Sequence, residues 1–184
     1  MNIQYQETNL LELKEVHNKK IIIHICNELG IWAGRFGVRF SLIYSQAEEE
    51  YRKWYEKINK NNCYSSVLPF GEIQKVVISD SLEVVNIIAQ EGVKFSHNKT
   101  PVKYDAFREC LEKVVEVYKH DYNLPTIYFS ELNLNDAGAE KEKIESIIND
   151  TLIKNAFSVT ITNHPMFSIK TPKYLKDKHE AKIE

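Results

Sequence analysis

The run Ile21-Ile22-Ile23-His24-Ile25-Cys26 is nearly continuous, rich in β-branched residues and too short for a helix. It reads as a strand buried on both faces. Such a strand needs a layer of helices on each side of its sheet, so this segment alone directs the chain toward an α/β architecture. Leu82 to Ala89, Val76-Val77-Ile78, Thr126 to Phe129 and Phe157 to Ile161 read as further buried strands, and the alternation in Ile3-Gln4-Tyr5-Gln6 as a half-exposed first one. Helical period appears in Ala47, Tyr51, Trp54, Tyr55 and Ile58, in Phe107, Leu111, Val114, Val115 and Tyr118, and in Ile144, Ile147, Ile148 and Leu152. A further helix is expected from about Gly37 through Val38 and Leu42. The result is a three-layer α/β/α domain, in which ligands bind outside the carboxyl ends of the strands.

The 184 residues suffice for one domain, expected over 1–172, with the mostly charged 173–184 as a tail. A net charge of -2 with mixed charges disfavours duplex nucleic acid as a partner. A small anion stays allowed, because backbone N–H groups hold a phosphate with few lysines. Cys26, Cys63 and Cys110 are odd in number and read as reduced thiols of a cytoplasmic protein. The N-terminus lacks the basic-then-apolar pattern of a signal peptide, and no apolar run approaches the ~20 residues of a membrane span. His17, His97, His120, His164 and His179 show no metal-ligand spacing with the cysteines, so neither a metal nor a cofactor is expected.

Asn27 to Gly37 follows the second strand and holds three of the six glycines. Glycine admits positive φ and close approach, and successive N–H groups before a helix cradle anions. Packing alone also produces such turns. His24, in the strand before it, is either a satisfied structural residue or an acid, base or nucleophile at the mouth of a site. Cys26 shares its strand face, and a buried free thiol is the commoner case.

Ile23-His24-Ile25-Cys26-Asn27, Gly30-Ile31-Trp32, Gly34 and Gly37 resemble the first binding loop of macro domains. The resemblance resumes in Tyr51-Arg52-Lys53-Trp54, Leu68 to Gln74, Val85 to Gln90 and Pro101 to Ala106. It is nearest to bacterial stand-alone macro proteins and the yeast-type ADP-ribose-1''-phosphate phosphatase. It implies a mixed, mostly parallel sheet and an ADP-ribose-like ligand. Asn27 would reach the distal ribose, and Gly30, Ile31, Trp32, Gly34, Arg35, Phe36 and Gly37 would wrap it and the diphosphate. Asn9, Gln90 and Ser130 complete the implied binding set, and His24 matches a proposed catalytic histidine. The bland alternatives are a core anchor for Trp32 and a cap or turn residue for Asn27.

Three departures bear on function. Thr8-Asn9 stands where the family has Gly-Asp for the adenine amino group, and a carboxamide accepts that bond but also donates. The segment from Ile127 to Glu140 is longer than the family's second phosphate loop and holds one glycine. Its Glu131 and Asp136 would repel a diphosphate they faced; Asp136 reads as a solvated loop acid, with a catalytic carboxylate as the alternative. Gln90 replaces the lysine that one subgroup uses for covalent chemistry, and Thr162-Asn163 replaces a C-terminal Tyr-Asp. Three functions remain open: binding of ADP-ribose or a related NAD-derived nucleotide without turnover; hydrolysis of ADP-ribose-1''-phosphate or of ADP-ribosylated macromolecules; and an interaction domain that has lost its ligand.

Overall fold

A computed structural model describes residues 2–10, 13, 18–61, 67–93 and 102–163. Cys63, His17, His97, His164, His179, residues 94–100 and the 173–184 tail lie outside the described residues.

The elements run β1 (Gln4–Gln6), β2 (Lys20–Asn27), α1 (Gly34–Phe40), α2 (Ser45–Asn61), β3 (Ile73–Ser79), β4 (Leu82–Gln90), α3 (Tyr104–Tyr118), β5 (Thr126–Ser130), α4 (Glu131–Asp136), α5 (Lys141–Ile148) and β6 (Ser158–Thr162). A π-helical turn, Asn149–Ile153, extends α5. The six-stranded sheet has the order β1-β6-β5-β2-β4-β3. Only β3 runs antiparallel to its neighbour; the other pairs are parallel.

All eight residues of β2 are buried, as its apolar run requires. Successive strand residues point to opposite faces, so Ile21, Ile23 and Ile25 pack with Phe107, Leu111 and Val114 of α3 and with Ile144 and Ile148 of α5. Ile22 and Cys26 face the other way, against Phe36 and Phe40 of α1 and Ala47 and Tyr51 of α2. Each face therefore has its own core, and three layers follow.

Three expectations need correction. Val76-Val77-Ile78 is not doubly buried: β3 is the outer, antiparallel strand, with Val76 inward and Val77 59% exposed. An edge strand with one covered face keeps alternate residues in water. The helix expected from about Gly37 through Val38 and Leu42 starts three residues earlier, at Gly34, ends at Phe40, and buries Phe36, Gly37 and Phe40, with Val38 and Leu42 exposed. Finally, the segment after Ser130 is not a loop, since Glu131–Asp136 forms α4.

Candidate ligand-binding cleft

β2 is the strand at which the connections change direction, toward β4 and β3 on one side and toward β5, β6 and β1 on the other. It pairs with β4 as far as Asn27↔Gln90, but with β5 only as far as Ile22↔Tyr128. The sheet splits there. A cleft of about 350 Å³ opens above the split, within the range of ~300–1,000 Å³ usual for small-molecule sites. Its floor is His24 to Asn27, with Gln90 and Val93 at one side; Ile31 to Arg35 form one wall, and Asn133, Asn135 and Asp136 of α4 the other.

The floor and first wall are held by one carboxamide. Asn27 Nδ2 donates to the carbonyl of Ile31 at 2.5 Å. Its Oδ1 accepts the backbone N–H groups of Leu29 at 3.0 Å and Ile31 at 3.2 Å, and the Tyr51 hydroxyl donates to the Asn27 backbone carbonyl at 2.5 Å. Those bonds fold 27–31 into a closed turn. Gly30 lies inside that turn at φ 70°, and Trp32 then donates its indole N–H to the carbonyl of Gly37 at 2.8 Å, pinning α1.

His24 is 4% exposed, and its ring lies 4.3 Å from that of Trp32, with Phe36 and Phe40 behind. Asn86 donates through Nδ2 to the Ala47 carbonyl and to Gln74 Oε1, which leaves its Oδ1 as the acceptor 3.2 Å from His24 Nδ1. The imidazole proton therefore sits on Nδ1. Burial lowers the His24 pKa from 6.5 to about 4, against the smaller opposing effect of the Asn86 bond. The ring is neutral near pH 7. Cys26 Sγ is 3.3 Å from the same nitrogen, and burial pushes its thiol well up, so it too is uncharged.

The sign of the resulting pH dependence is fixed. An unfolded histidine takes up its proton near 6.5 and the folded one near 4. The unfolded state thus binds more protons in that window, and stability falls as pH drops through it. The loss from this group is expected to reach about 3 kcal/mol. Urea unfolding of wild type and His24→Phe between pH 7 and 4 checks it: the variant's curve should be flatter by that amount, and parallel curves would refute the assignment.

Asp136 is not a solvated acid. Its side chain is 15% exposed, accepts the backbone N–H of Phe36 at 2.9 Å and pairs with Arg35 at 3.0 Å. Asn133, which sequence reasoning passed over, accepts the N–H of Ile25 at 2.8 Å and donates to its carbonyl at 3.4 Å. It answers the strand edge that β5 leaves open. Its position in sequence carries no signal for this, because the partner is 108 residues away.

Of the residues singled out from sequence, His24, Asn27, Ile31, Trp32, Gly34, Arg35 and Gln90 meet in the cleft. Asn9, Gly30, Phe36, Gly37 and Ser130 do not line it. Gly30 and Gly37 instead shape the wall from behind, while Ser130 is buried at the start of α4. Gln90 donates to the carbonyl of Gly92, and Glu28 accepts the Gly92 N–H, so the far rim is also tied down. Among the described residues no group of three or more His, Cys, Asp or Glu is placed to hold a metal ion, and no helix is long and apolar enough to cross a membrane.

A split parallel sheet with a glycine-walled cleft at its switch strand defines a three-layer α/β/α ligand-binding domain. No protein-family model matches the sequence. No curated protein matches it either. Solved structures do. A Bacteroides thetaiotaomicron protein of unknown function is 30% identical over 88% of this chain and 98% of its own, with a TM-score of 0.72. A macrodomain protein from Streptomyces coelicolor is 27% identical over 89% of this chain and 100% of its own, also with a TM-score of 0.72. Thermosipho africanus DarTG, solved in complex with ADP-ribose, is 14% identical over 94% of this chain and 44% of its own, with a TM-score of 0.64. The chain belongs to the macro domain family.

Proposed function

We propose that this macro domain binds ADP-ribose, or a related NAD-derived nucleotide, in the cleft over β2 and does not turn it over. The observation that carries this reading is the state of the groups around the cleft. Its glycine-rich wall is preformed by Asn27, yet its histidine is neutral and its thiol protonated. Asp136, the one acid among its described lining residues, is paired with Arg35. An imidazole with a pKa of about 4 is almost wholly neutral near pH 7, which makes it a poor general acid for a leaving group. The Thermosipho africanus relative solved with ADP-ribose supports the choice of ligand. The reading takes 1–172 as one cytoplasmic domain and free nucleotide, rather than an ADP-ribosylated macromolecule, as the first partner to test.

Calorimetric titration of ADP-ribose, ADP-ribose-1''-phosphate, AMP and the matching guanine and inosine nucleotides tests it. The expected result is micromolar-range binding of ADP-ribose, equivalent to about -8 kcal/mol, with both ADP-ribose compounds recovered intact after long incubation. Release of phosphate, lost in His24→Ala, would instead establish the hydrolase. Flat titrations throughout would leave an interaction domain without a ligand.

A further inference from the structure

We infer that Asp136 is the charge-selecting residue of the cleft: its carboxylate occupies the groups that would receive a ligand's negative charge, so a diphosphate binds only by displacing it. The inference rests on the nucleotide reading and deepens it.

Three contacts place the carboxylate. Asp136 Oδ2 accepts the Phe36 N–H at 2.9 Å, and Oδ1 lies 3.0 Å from both Nε and Nη2 of Arg35. A Cβ added to Gly34, in the wall itself, would stand 3.0 Å from Oδ2, so the carboxylate lies directly over the glycine turn. Its carrier is held in place too. Asn133, one turn earlier in α4, is bonded to both backbone groups of Ile25 on the floor. The acid is thus presented by a docked helix and not by a free loop.

The described lining of the cleft offers no other charge. Among its described lining residues Arg35 is the one cation and Asp136 the one acid; His24 is neutral. A diphosphate in the cleft meets a carboxylate already paired to the cation it needs. Either the ligand takes Arg35 and the Phe36 N–H from Asp136, or two like charges share the site. Wild-type affinity for anionic ligands is therefore held down in comparison with uncharged ones, and replacing the carboxylate by its neutral isostere releases it.

The test titrates ADP-ribose and adenosine against wild type, Asp136→Asn and Asp136→Ser at low salt, with thermal melts to verify folding. Asn keeps an acceptor for the Phe36 N–H and loses the charge. ADP-ribose is expected to bind either folded variant about tenfold tighter than wild type, the order expected for one charge at a part-exposed site, while adenosine, which carries no phosphate, gains nothing. The Phe36 amide resonance of wild type is expected to shift on adding ADP-ribose. Equal or weaker ADP-ribose binding by the folded variants overturns the inference and leaves the nucleotide reading standing. If the variants do not fold, a Phe36 amide that stays still as ADP-ribose binds overturns it instead. Silence of wild type and variants alike sinks both readings, whereas binding that appears only in the variants supports both.

Discussion

A Gly30→Ala variant is expected to lose about 2–5 kcal/mol of stability, and ligand binding with it. Two separate effects add. Gly30 sits at φ 70°, a conformation that strains any residue with a Cβ. The added carbon would also stand 2.3 Å from Cγ and 2.5 Å from Cδ1 of Tyr55. These are ring atoms close to the helix backbone, so the ring has no flexible end to swing aside, and α2 must shift or the turn must open. Gly92 separates the two effects: its φ is 64° but nothing lies within 4 Å of an added Cβ. Gly92→Ala should show the strain alone, about 1–2 kcal/mol. Thermal melts of both variants measure the contrast, with a Tm lowered by about 5–15 °C expected for Gly30→Ala. Equal losses in the two would remove the Tyr55 contact from the account.

The second large effect belongs to Asn27. Asn27→Ala removes the carboxamide of a residue 4% exposed, which makes three hydrogen bonds to the turn. The N–H groups of Leu29 and Ile31 and the carbonyl of Ile31 lose their partner together. Leaving these part-buried backbone groups unanswered is expected to destabilise the protein by about 1–3 kcal/mol. Affinity for ADP-ribose should fall by at least about a hundredfold, because the wall of the cleft opens. Asn27→Asp tells shape from contact. It keeps both acceptor bonds but turns the donor toward Ile31 into a carboxylate facing a carbonyl. If Asn27 acts through the turn, the two variants lose stability and affinity in step, as urea midpoints and calorimetry will show. Asn27→Ala with a wild-type midpoint and no binding would mean that the carboxamide touches ligand and does not hold the turn.

The legible part of this protein is the part written in local period. β2 and β4 announce double burial through nearly continuous apolar runs, and α2, α3 and α5 announce their packing through one apolar face each. Val77 was opaque because an apolar triplet looks the same in an edge strand as in a central one until the neighbours are known. α4 was opaque because six residues, Glu131–Asp136, are too few to show a period, and what fixes them is the bond between Asn133 and Ile25. In the site, Asn27 and the glycines of the wall were visible from their order along the chain. The state of His24 was not: it is decided by Asn86, 62 residues away, and by three aromatic rings from the neighbouring segment.

The parting of β2 from β5 after Ile22↔Tyr128 has a consequence for how the cleft tolerates change. Beyond that point the floor turns the main chain of β2 toward α4, and the carboxamide of Asn133 imitates the missing strand at Ile25. Main-chain groups are indifferent to the identity of the residue that carries them. The donor and acceptor offered at Ile25 are thus independent of which side chain that position carries. Asn133 behaves as a stopper there. Whatever replaces it decides whether the peptide groups of Ile25 are closed off or offered to whatever enters the cleft.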